Sequence, residues 1–152
     1  MRRLLLVLLA LAAVLPPAAA GGAPESVNGG GRGTIDETSP FSQFGFQVSK
    51  AADGSVRGHF NCLMAGSSQF PGFTLMAVRG QVTSLSISGD TATFEGSGML
   101  QLGNQGKSAA TFRVVVTNGG PGVGTLQLTA STVLGEVVLP TEDVLDGHIT
   151  VG

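Results

Sequence analysis

Apolar and polar residues alternate with a period of two through most of this chain, and no window beyond its first twenty residues sustains a helical period. Phe44, Phe46 and Val48 alternate with Gly45, Gln47 and Ser49, and Val56, Gly58, Phe60 and Cys62 alternate with Arg57, His59 and Asn61. Ala92, Phe94, Leu100 and Leu102 share one face of the segment Thr91 to Leu102, with Gly96 and Gly98 on that same inner face. There a bend, or a large facing side chain, needs room. Phe112, Val114 and Val116, then Leu126, Leu128 and Ala130, repeat the pattern, and Ile149 and Val151 end it. Asp53-Gly54, Gly89-Asp90, Gly103 to Gly106 and Asn118 to Gly122 punctuate the series with residues that suit tight turns. Such spacing predicts a single antiparallel β-sandwich or partly closed β-barrel of about eight or nine short strands. A single helical turn at residues 141 to 145 is the one exception expected.

One segment breaks the rule. Apolar residues fall on odd numbers at Phe73, Leu75 and Ala77, on even numbers at Met76, Val78 and Val82, and on odd numbers again at Leu85 and Ile87. A period of two cannot change phase without an extra residue, so a β-bulge or a strand break is expected near Gly80. Five phenylalanines (Phe44, Phe46, Phe60, Phe94 and Phe112) fall on the inner faces, each worth about 2–3 kcal/mol on burial. Phe41, Phe70 and Phe73 are out of phase with them, and either line an apolar pocket at a loop end or cap the core.

Arg2 and Arg3, the apolar run Leu4 to Leu15 and the small-residue exit Ala18 to Ala20 have the layout of a secretory signal peptide. The run is shorter than the roughly 20 residues a membrane-spanning helix needs. Residues 1–20 are thus expected to be removed on export, 21–31 to form a flexible Gly- and Pro-rich leader, and 32–152 to form one all-β domain. The expected location is extracellular, with no stable membrane anchor after cleavage. Beyond Arg2 and Arg3 the basic residues Arg32, Lys50, Arg57, Arg79, Lys107 and Arg113 stand singly. Nucleic-acid binding, which needs clustered cations to release counterions, is therefore not expected.

The candidates for chemistry are few. Cys62 is the single cysteine, so no internal disulfide can form, and it is expected to be a buried apolar residue. His59 and His148 lack the paired spacing of zinc ligands, although neighbouring strands could bring them together with Asp146. Glu142, Asp143 and Asp146 read as a solvated acidic loop without the ordered repeat of a calcium loop. No Gly-x-Ser-x-Gly elbow occurs, because Gly96-Ser97-Gly98 lies within a strand. The reading therefore assigns no catalytic, cofactor-binding or metal-binding residues. One binding surface is named instead: the outward stripe Arg57, His59 and Asn61, donors on a rigid strand.

A family resemblance runs along these same residues. Gly29-Gly30-Gly31, Phe44-Gly45-Phe46, Gly58-His59-Phe60-Asn61 and Ile87 to Phe94 with Gly96 and Gly98 resemble, in order and spacing, the post-COAP family of small secreted bacterial β domains. Phe112 to Val116, Asn118 to Gly122 and Asp146-Gly147-His148-Ile149 agree, so the resemblance covers about Asn28 to the C-terminus. It implies an all-β exported module without an established activity, and it supplies no catalytic residues. The expected function is a secreted, non-catalytic interaction or structural module with an extracellular or envelope partner. The alternatives are a β-barrel binding a small apolar ligand or carbohydrate, with Phe70 and Phe73 at its mouth, and, last, a hydrolase.

Overall fold

The computed structural model of the protein describes residues 22–65 and 75–152. Residues 1–20, where the signal peptide is expected, and Phe70 and Phe73 lie outside them. Nine antiparallel strands form one sheet: β1 (Glu25–Thr34), β2 (Ser42–Lys50), β3 (Val56–Ala65), β4 (Leu75–Ser88), β5 (Thr91–Leu102), β6 (Lys107–Thr117), β7 (Thr125–Thr132), β8 (Gly135–Val138) and β9 (Glu142–Val151). The all-β expectation is met, and the count is nine. β1 to β7 are each paired with the next in chain order, as short hairpin connections favour.

The pairings run round in a barrel-like ring. β9 pairs with β1 on one side and with the start of β7 on the other, where Leu126 opposes Glu142. β7 also pairs with β6 from Thr125 to Ser131, which closes the circuit. The last four residues of β7 carry the short strand β8 on the edge away from β6. Closure removes most of the unpaired backbone that an open sheet presents.

Two of the expectations need correction. Residues 25–34 are a full strand, not part of a flexible leader. Val27 is completely buried, and the glycines after it make room rather than slack: a Cβ at Gly29 would sit 2.5 Å from the ring edge of Phe46. Residues 142–151 are likewise a strand throughout, with no helical turn at 141–145.

β4 keeps running through Gly80, and its phase change is a bulge between Val82 and Ser84, where Thr83 has no partner in the register. Met76, Val78 and Val82 before it and Leu85 after it are all buried.

The interior is built from aromatic rings. Phe44, Phe46, Phe60, Phe94 and Phe112 all point inward, and Phe46–Phe94, Phe94–Phe60 and Phe60–Phe112 form a chain with centroids 5.1, 5.8 and 5.3 Å apart. These spacings lie within the attractive range for aromatic pairs. Phe41 is buried with them, so it caps the core. Phe112 lies over a glycine floor: a Cβ at Gly96 would be 2.6 Å from its ring, and one at Gly80 2.7 Å. That is the large facing side chain for which the inner-face glycines leave room.

Truncating Phe94 to Ala is expected to cost about 3–5 kcal/mol in urea unfolding as a core deletion. Thr93→Ala, on the opposite face, should cost well under about 1 kcal/mol. Equal losses at the two positions would contradict this strand phase.

Candidate functional site

On the outer face the register stacks side chains from successive strands into rows. One row runs Asp146 (β9), Arg32 (β1), Gln43 (β2), Leu63 (β3), Ala77 (β4) and Gln101 (β5). The next runs His148, Gly30, Gly45, Asn61, Arg79 and Met99. Gly30 and Gly45 bring no side chains to that second row, so it is low at its centre and rimmed by polar groups. A groove of about 480 Å³ lies here, walled by Arg32, Asp146, Gln43, Asn61 and Arg79.

The charges in this groove are unequally matched. Arg32 makes an ion pair with Asp146, its Nε donating to Oδ2 at 2.5 Å, while the Arg32 backbone N–H donates to Oδ1 at 3.2 Å. Hydrogen bonding from the Arg32 side chain holds the Asp146 carboxyl below its ordinary range. Among the described residues Arg79 has no hydrogen bond and no ion pair. Its guanidinium therefore stands in the groove with all its donors free for a ligand.

The stripe read from the sequence is outward and exposed as expected, since Arg57, His59 and Asn61 alternate along β3 with the partly buried Val56 and Gly58 and the buried Phe60 and Cys62. Only Asn61 lines the groove. His59 stands one row away between Gln47 and Gln81, and Arg57 lies further along β3 opposite Ser49. Sequence reasoning missed Arg32, Gln43, Arg79 and Asp146, because they come from four different strands and meet only through the pairing register. His59 and His148 do not meet, as β2 and β1 separate their strands. Among the described residues no three His, Cys, Asp or Glu side chains converge where they could hold a metal ion.

A second polar cluster lies inside the ring. Glu142, expected in a solvated loop, is the first residue of β9 and is 1% exposed. Its Oε2 accepts a hydrogen bond from the Ser42 hydroxyl, and its Oε1 has no partner. Gly33 on β1 lies close against the carboxyl and leaves it space. The inward direction comes from a register shift: Arg32 pairs with Asp146 but Gly33 with Val144, which leaves Leu145 as an extra residue in β9. Ile149 and Val144 therefore both point inward although one number is odd and the other even. Glu142 follows Val144 to the inside.

Burial pushes the Glu142 carboxyl up to about 7, against the smaller opposing effect of the Ser42 hydrogen bond. Cys62 is buried beside it, and loss of hydration, with the Glu142 charge adding to it, pushes the thiol up to about 12. A thiol so seldom ionised is a poor nucleophile. The interior thus holds a carboxyl that keeps its proton in acidic solution and a thiol that seldom ionises, and among the described residues no histidine is partnered to either.

Comparison with known proteins finds no matching family model, no similar curated protein and no similar solved structure.

The raised Glu142 carboxyl has a definite sign in stability. The folded protein keeps its proton up to about pH 7, whereas the unfolded chain releases it near 4.5. The stabilisation is therefore complete below about pH 4.5 and is lost as pH rises to about 7, a loss of about 3 kcal/mol. The depressed carboxyls Asp36, Asp53 and Asp146 act in the opposite sense and in more acidic solution. Urea midpoints are expected to fall between pH 4.5 and 7.5 in the wild type and to stay nearly level in Glu142→Gln. A midpoint that rises over this window would contradict the burial of an ionisable carboxyl here.

Proposed function

We propose that the protein is a secreted, non-catalytic binding module whose recognition surface is the outer groove between Asp146 and Arg79. The observation that carries this reading is Arg79, an unpaired guanidinium on β4 that faces the Arg32–Asp146 pair across Asn61. An exposed guanidinium with no acceptor of its own, facing a groove, suits an incoming acceptor. The long side chains of the groove present planar amide and guanidinium donors, which orient a polar ligand by hydrogen bonds. Export rests on the layout of the N-terminal segment.

The alternative of a ligand held inside the ring is disfavoured by the aromatic chain that occupies the interior. A hydrolase that uses Cys62 as its nucleophile is disfavoured, since Cys62 is buried and its thiol is pushed to about 12.

A thermal-shift panel of oligosaccharides, amphiphiles and calcium tests the reading. A groove ligand at a hundred times its dissociation constant should stabilise the wild type by about 2.7 kcal/mol. The shift should vanish in Asn61→Ala/Arg79→Ala and persist in Arg113→Ala on another part of the outer surface. A shift that survives the double substitution, or turnover of an ester, peptide or glycoside substrate, would overturn the proposal.

A further inference from the structure

On the outer face one set of apolar residues gathers on three adjacent strands. At the ends of β3, β4 and β5 nearest the β1–β2 loop, both faces of the sheet are apolar. On β4, Met76 and Val78 fill the interior while Leu75 and Ala77 point out. Leu63 on β3 pairs with Ala77, and Met99 on β5 pairs with Arg79 and is 43% exposed. These outward residues line a hollow of about 330 Å³ whose rim holds Arg79 and Lys107. Arg79 and Leu63 also line the polar groove, so the two depressions adjoin across one guanidinium.

We propose that this surface binds a free amphipathic anion, its acidic group on Arg79 and its aliphatic body over Leu63, Ala77 and Met99. The inference rests on the reading of the groove as a binding site and names the ligand class. Charge complementarity carries it. Among the described residues the apolar hollow is bordered by two cations and by no carboxylate, whereas Asp146 in the adjoining groove is already engaged by Arg32. A ligand with an anionic head and an apolar chain satisfies Arg79 and covers the exposed thioether in a single pose. A fully polar ligand would leave the hollow wet, and a neutral apolar one would leave the guanidinium unanswered. Met99 suits such a surface, since its flexible side chain adapts to aliphatic chains of different shape.

Sodium decanoate, kept below the concentration at which it aggregates, is the probe for calorimetric titration of the exported protein. Saturable binding is expected, with a perturbed Met99 methyl resonance. Affinity should fall at least tenfold in Arg79→Gln and in Met99→Gln and stay unchanged in Arg113→Gln. All three positions are on the outer face, so melting temperatures should match the wild type. Sodium acetate and decyl maltoside supply the charge and the chain separately, and both should bind at least tenfold more weakly. No binding of decanoate, binding of decyl maltoside with equal strength, or binding only to phosphatidylglycerol vesicles would overturn the inference. If a ligand from the thermal-shift panel needs Asn61 and Arg79 but ignores Met99→Gln, the amphipathic class falls while the binding-module reading stands.

Discussion

Phenylalanine rings set against glycine backbone are the contact on which the rest of the structure depends. Phe112 lies over Gly80 and Gly96, and Phe46 over Gly29, so each ring reaches past the position where a Cβ would stand. Close approach of this kind lets four linked rings fill the centre of a small strand ring without a disulfide. Each buried ring brings about 2–3 kcal/mol of apolar burial, and the close packing adds dispersion contacts. The glycines give up strand propensity for this fit. Closure through the β6–β7 ladder then holds the rings from all sides.

The same arrangement is why the proposed binding surface lies on the outside of the ring. With the interior occupied by rings, the outward lattice is what remains to vary. Pairing register turns residues distant in the chain into neighbours there: Asp146 beside Arg32, and Asn61 beside Arg79. Rigid strands hold those side chains in fixed relative positions, which lowers the ordering cost of binding. Glu142 is the exception inside. Its burial beside Ser42 and Cys62 costs desolvation, relieved by keeping the proton. Its position at the start of β9, against Gly33 of β1, ties the closing strand to a protonation state.

Much of this was legible from alternation alone, and the failures have physical causes. The inward phenylalanines, the glycine room at Gly96 and the phase change in β4 are local signals, and each is present in the structure. β1 was read as a leader because Val27 is its sole large apolar residue, and its glycines look like slack unless Phe46 is known to lie across them. Glu142 reads as part of a solvated acidic loop with Asp143 and Asp146, and its inward direction depends on the extra residue at Leu145, which reverses the odd phase of Ile149 and Val151. Polar residues carry no periodic signature of a bulge. The groove itself was legible only at Asn61. Arg32, Arg79 and Asp146 belong to it through register, a property of strand pairs rather than of any one segment. The odd-numbered Leu75 and Ala77, which read as a shift of phase, are instead an outward apolar set beside the inward Met76 and Val78.

The account stands most directly on the contact between Phe112 and the glycine floor. A nuclear Overhauser spectrum of the protein should show cross-peaks from the Phe112 ring protons to the α-protons of both Gly80 and Gly96, with the glycine resonances displaced by the ring current. Strong Phe112 contacts to solvent-exposed residues of β6 instead, with unshifted glycine α-protons, would contradict it.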